Sequence, residues 1–157
     1  MERPRWLDER EQSAWRGYRR MRRLLDLELA RELMRDAGLS EPDYDVLSDL
    51  AETPDQRLRL SELADRMLWS RSRLSHHLTR MQQRGLVTRE ECAADGRGAV
   101  VALTAEGRRA IEAAAPGHVA AVRRHLIDLL TPDEIAALDA LTHRVVDHLT
   151  DEGRSVR

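Results

Sequence analysis

Between Leu60 and Thr104 the chain reads LSELADRMLWSRSRLSHHLTRMQQRGLVTREECAADGRGAVVALT, which orders two short helical stretches, a turn and a charged hairpin. Ser61 is the expected cap of the first stretch, which turns Leu63, Ala64 and Met67 inward. Ser70 caps the second, which runs to about Arg84 and stops at Gly85. The runs Leu86 to Cys92 and Ala99 to Thr104 tolerate β structure and are separated by Ala93-Ala94-Asp95-Gly96-Arg97-Gly98. They read as a two-stranded hairpin with a glycine-containing tip. Isolated hairpins are marginal, so this one is expected to lean on the helices.

Charge is segregated into the same window. From Arg66 to Arg89 there are six arginines (Arg66, Arg71, Arg73, Arg80, Arg84 and Arg89) and no acid, whereas the whole chain has formal net charge −2. Screening limits each charge to neighbours within ~8 to 10 Å, so acids elsewhere barely weaken a local basic face. The overall balance therefore does not exclude a polyanionic partner. All 26 basic residues are Arg, which fits GC-rich codon usage and lowers the weight of any single one.

On a helical wheel the second stretch puts Leu74, Leu78 and Met81 on one face and Ser72, Arg73, His76, Thr79, Arg80 and Gln83 on the other. A solvated surface would normally mix Glu with Arg; a face of hydrogen-bonding groups with no acid favours double-stranded DNA. Arg matches guanine O6 and N7 with its fork, and Ser, Thr, His and Gln can reach base edges or phosphates. The candidate DNA-binding residues here are Ser70, Arg71, Ser72, Arg73, Ser75, His76, Thr79, Arg80 and Arg84. Arg71 falls nearer the buried side and is expected on backbone phosphate or neighbouring structure.

The flanks are helical. Asp8 to Ala37 reads as one long helix with an apolar stripe of Trp15, Tyr18, Met21, Leu25, Leu29 and Leu33, stopped by Gly38. Ser40 caps a short helix to about Ala51, with Tyr44, Val46, Leu47 and Leu50 inward; Thr53 to Arg59 reads as a polar linker. Thr104 opens a helix to about Leu130 that carries Ile111, Ala115, Val119, Val122, Leu126 and Leu129. Thr131-Pro132-Asp133-Glu134 forms a capping box for a last helix with Ile135, Leu138, Leu141, Val145 and Leu149.

A chain of 157 residues is long enough for a core without staples. A single cysteine, no apolar run of ~20 residues and no signal-like start indicate a cytoplasmic protein with no membrane partner. No nucleophile and base constellation, phosphate-binding glycine loop or paired carboxylates is recognisable, so no catalytic residue, cofactor or enzyme activity is expected. His76 and His77 belong to the reading helix, and the pairs His118/His125 and His143/His148 lack zinc-site spacing, so no metal is expected.

Three pieces, L-S-E-L-A at 60 to 64, R-M-Q-Q-R-G-L-V at 80 to 87 and D-G-R-G-A-V-V-A-L-T at 95 to 104, resemble the winged helix-turn-helix of the MarR family of transcription regulators. The last is the most diagnostic: Asp95, Arg97, Leu103 and Thr104 fill the family's places, while Val101 stands where Leu is common. The resemblance covers about residues 10 to 150 and implies a mainly α fold with a small β-hairpin wing. It implies a single domain over 1–157, with a DNA-binding lobe over 41–104 and a helical dimerisation region over 8–37 and 105–150. It further implies a homodimer, a repressor of an inverted-repeat operator, with fourth helices in major grooves and Arg97, oriented by Asp95, in flanking minor grooves. An Arg is what a narrow minor groove attracts; a turn Arg paired with Asp95 is the plainer reading. The family's oxidant sensors carry a reactive Cys near the first helix; none lies there, and Cys92 reads as an ordinary small residue.

Five arginines (Arg16, Arg19, Arg20, Arg22 and Arg23) crowd the first helix. The family often binds small aromatic acids between its dimerisation helices and DNA-binding lobe, which makes Trp15, Tyr18 and Arg19 candidates for an aromatic anionic effector. The alternative is that these arginines pair with Asp147, Asp151 and Glu152. A second reading of the whole chain also stays open, a non-catalytic helical dimer that acts through protein–protein interaction.

Overall fold

The computed structural model describes residues 4–91 and 98–155, with side chains to residue 151. It is mainly helical with one small sheet. In order the elements are α1 (Glu9–Ala37), α2 (Glu41–Glu52), β1 (Arg57–Arg59), α3 (Leu60–Met67), α4 (Arg71–Gln83), β2 (Val87–Glu91), β3 (Ala99–Leu103), α5 (Ala105–His125) and α6 (Pro132–Ser155). Two compact units divide the chain, Met1–Val119 and Ala120–Arg157.

Local chemistry sets most boundaries. Asp8 accepts from the backbone N–H of Glu11 and Glu11 reaches back to Asp8, so α1 starts on a capping box. It ends where Gly38 turns left-handed at φ 65°. Ser40 and Asp43 repeat the box at α2, and Thr131 with Glu134 repeats it at α6. The Ser70 hydroxyl accepts from Arg73 N–H at the start of α4. Beyond α4, Gly85 at φ 76° lets Leu86 N–H return to Met81 O, a Schellman closure.

The structure departs from the sequence reading in three places. The segment read as a linker contains β1, which pairs antiparallel with β3 through Leu58 opposite Val101, so the sheet has three strands in the order β1-β3-β2. Leu58, the single apolar residue of that stretch, is buried, and burial decided what composition could not. Ser61 does not cap α3; the cap lies two residues earlier, on Arg59, which makes no side-chain cap bond and ends a strand. Finally, α5 stops at His125 instead of continuing to Leu130. Leu126 leaves helical geometry and a 3-10 turn, Ile127–Leu129, leads into extended Leu130 before Thr131-Pro132.

The core of the first unit gathers Val46, Leu47 and Leu50 of α2, Leu63 of α3, Leu74, Leu78 and Met81 of α4, Val87 and Val101 of the sheet, and Ile111 of α5. The Thr104 hydroxyl accepts from Gly107 N–H and donates toward Gly85 O and Leu86 O, which joins the start of α5 to the end of α4. The helix-turn-helix and the sheet thus share one apolar centre, and the polar face of α4 is left outward.

Candidate nucleic-acid interface

Helix α4 is held by its apolar stripe. Leu74, Leu78 and Met81 are fully buried, so period 3.6 forces Ser72, Arg73, His76, Thr79, Arg80 and Gln83 outward, and all six are exposed. The first turn of α4 contains no acid, and its unpaired N–H groups lie beside exposed Arg71 and Ser72, a favourable place for an anion. Arg71 was expected nearer the buried side. It is exposed, because the buried stripe of this helix begins at Leu74.

Three of the six arginines of the basic window are engaged within the chain. Arg84 places Nη1 2.7 Å from Asp43 Oδ2 and donates from Nη2 to Gly38 O at 2.9 Å, which straps the end of α4 to the start of α2. Within the chain its guanidinium satisfies a buried carboxylate, a structural role that the sequence did not point to. Arg89 of β2 donates to the hydroxyls of Ser75 and Thr79, both at 2.8 Å, and Thr79 in turn donates to Ser75 O. Ser75 and Thr79, both candidate DNA contacts, thus brace the sheet against α4. Arg66 lies against Glu62 and Asp49 on the far side of α3.

Arg71, Arg73 and Arg80 remain as the outward cations of α4, and two of them, Arg73 and Arg80, have a support. The guanidinium of Arg73 lies 3.8 Å above the Trp69 ring. Arg80 Nη2 lies 3.2 Å from His77 Nδ1. His77 is itself buried, meets the Trp69 ring edge-on and sits 3.0 Å from Asp43 Oδ1, a close electrostatic contact and not a well-aligned hydrogen bond. Burial lowers the pKa of His77 below the ordinary imidazole value, against the pull of Asp43. Burial works to raise the Asp43 carboxyl, but the bonds from Arg84 and Ser40 hold it below the usual range.

The sequence pointed to no role for Trp69 or Asp43, counted Arg89 only among the arginines of the basic window, and placed His77 on the reading helix without assigning it to the outer face. One signal for His77 was available: on the wheel it falls about 40° beyond Met81, at the edge of the buried stripe and away from the middle of the polar face. The pairing of Arg84 with Asp43, 41 residues apart, has no local signature. Cys92, Asp95 and Arg97 lie outside the described residues.

On α1, Trp15 and Tyr18 stack with centroids 5.9 Å apart, with Arg19 over Trp15 and Arg22 over Tyr18. Beside them is an open recess of about 410 Å³ lined by Arg16, Arg19, Arg20, Arg23 and Leu24. Among the described residues none of Arg19, Arg20, Arg22 and Arg23 enters an ion pair within its own unit; Asp147, Asp151 and Glu152 belong to the other unit. No described helix is long and apolar enough to cross a membrane.

The sequence pattern that defines the MarR family matches residues 37–98. Two solved structures from Streptomyces coelicolor are similar over nearly their whole length. The MarR family transcriptional regulator AbsC is 42% identical, with 94% of this chain and 99% of that one covered and a TM-score of 0.89. Sco3205, a MarR family transcriptional regulator in complex with DNA, is 44% identical, with 93% and 92% covered and a TM-score of 0.89. The transcriptional regulator HosA of Escherichia coli is 35% identical over 102 residues, 64% of this chain and 73% of that protein.

Proposed function

The chain belongs to the MarR family of transcription regulators, and on that premise we propose a homodimeric repressor that holds an inverted-repeat operator and releases it when a small aromatic anion binds. The observation that carries this reading is the exposed, acid-free face of α4, with Arg73 and Arg80 projecting from a helix whose other side is fully buried. Arg at these positions suits guanine in the major groove, while Ser70, Arg71 and Ser72 at the helix N-terminus suit phosphate. The wing residues Asp95 and Arg97 would extend the contact into the minor groove. The likeness to Sco3205, itself described with DNA, supports the same partner. Such a protein acts in the cytoplasm and without catalysis.

Exposed apolar side chains support the pairing of two copies. Trp15, Tyr18, Met21, Leu129, Leu141, Val145, Val146 and Leu149 are each about half exposed or more, an apolar load that two-fold association would remove from water. The 8–37 and 105–150 segments would then carry dimerisation and the 41–104 lobe the reading of DNA. Trp15, Tyr18 and Arg19 offer stacked rings with guanidinium groups over them, which suits an aromatic carboxylate.

Operator binding measured against salt tests the proposal. With on the order of 6 to 10 phosphate contacts, affinity should fall roughly 10³ to 10⁵ between 50 and 200 mM salt, on a duplex whose half-sites lie about 10 bp apart. A sedimenting dimer with a flat salt profile would favour the protein-interaction alternative instead.

A further inference from the structure

We infer that His77 is a positioning residue for DNA reading, its Nδ1 lone pair holding the Arg80 guanidinium on the outer face of α4 in the orientation that reads one base pair of each half-site. This rests on the proposed reading of DNA by α4. A guanidinium only donates, so the 3.2 Å approach of Arg80 Nη2 makes His77 Nδ1 the acceptor and leaves the single proton of the neutral ring on Nε2. Asp43 Oδ1 lies 3.0 Å from that nitrogen, a close electrostatic contact that favours a proton there although the N–H is not aligned on the oxygen. Asp43 is fixed in turn by Arg84 at 2.7 Å and by the N–H of Ser40 at 3.0 Å. The tautomer that Asp43 favours is the one that offers a lone pair to Arg80.

The groups facing the ring are Asp43 from α2, Arg80 from α4, Arg84 at the C-cap of α4, and the uncharged Trp69 ring, in a T-shaped contact, from the turn before α4. Two guanidiniums and burial together oppose a second proton on the imidazole, so the acceptor persists near neutrality. A long Arg side chain loses rotamer freedom when it binds a base. Holding it beforehand reduces that loss and narrows the directions in which it can donate.

The test is operator selection from a pool with randomised half-sites, with intact protein and the variants Arg80→Ala, His77→Leu and His77→Asn. Leu keeps the buried volume but has no acceptor, whereas the Asn carbonyl oxygen can stand near the place of Nδ1. His77→Leu should reproduce, at the single position flattened by Arg80→Ala, a loss of preference of roughly tenfold, the worth of one charge-assisted hydrogen bond. His77→Asn should restore part of it. If Arg80→Ala flattens one position and His77→Leu leaves that position sharp, the positioning role is overturned while the DNA reading stands. If Arg80→Ala changes nothing, the assignment of base reading to Arg80 fails and the inference fails with it. Nitrogen-15 spectra of the wild-type imidazole give a check that survives an unfolded variant: at pH 7.5 His77 should be protonated at Nε2 alone, and a proton on Nδ1 would overturn the inference.

Discussion

The guanidinium of Arg73 lies 3.8 Å above the ring of Trp69, four residues earlier, and the same ring makes a T-shaped contact with buried His77. The turn between α3 and α4 thereby becomes a platform for one of the outward cations of α4. Cation and ring attract by about 0.5 to 2 kcal/mol, depending on solvent exposure. Trp69→Leu should keep the fold, because Leu retains much of the apolar contact, but leave Arg73 without its platform. The expected result is a loss of preference at one base pair per half-site, equal to or smaller than that of Arg73→Ala. Selection profiles of the two variants check it, and different affected positions would contradict the platform role.

Arg84 should matter for stability and not for base preference. Its removal leaves the Asp43 carboxylate, 4% exposed, without its strongest donor. An uncompensated buried acceptor costs about 1 to 3 kcal/mol; partial exposure of Arg84 places the expected loss toward the lower end. Urea denaturation of Arg84→Ala should show that loss while the order of preferred operators stays unchanged.

Acidification should destabilise the protein through His77. Its folded pKa lies below the unfolded value, so the unfolded chain takes up the proton first. The contribution is complete above about pH 6.5 and declines as pH falls toward the folded value. Asp43, also lowered, adds a separate decline below about pH 4. His143 is shifted the other way by Asp139, so the clean observable is a difference between proteins. Relative to His77→Leu, the wild type should lose stability between pH 7 and pH 5.5, measured by urea denaturation at each pH. A constant difference would contradict it.

Gly107 reverses the usual rule for glycine in helices. Gly to Ala normally helps a helix by about 1 kcal/mol. Here a Cβ would sit 2.1 Å from Leu86 O and 2.9 Å from the Leu103 side chain, so the start of α5 would have to move off the end of α4. Gly107→Ala should therefore cost roughly 1 to 3 kcal/mol, whereas Gly17→Ala, with open space around the Cβ, should be neutral or stabilising. Thermal denaturation of the two variants checks the contrast.

The start and stop of most helices were legible because caps are local. Asp8, Ser40, Ser70 and Thr131 each satisfy N–H groups three residues on, and Gly38 and Gly85 supply the left-handed turn that ends a helix. The outward face of α4 was legible for the same reason, since period 3.6 sorts side chains without reference to any other element. Where the outcome depended on distant partners the sequence misread the chain. Arg57 to Arg59 became a strand only because β3 offered a free edge, and Arg59 then took the capping position expected of Ser61. Arg84 looked like one more cation on a basic helix until the fold brought Asp43 beside it. His77 looked like a neighbour of His76 until burial against Trp69 and Asp43 set it apart. Sequence by itself determined which faces are apolar and where helices begin, because those depend on spacing along one chain. Tertiary structure alone decided which arginines stay outward, because pairing a guanidinium with a buried carboxylate depends on contacts between residues far apart in the sequence.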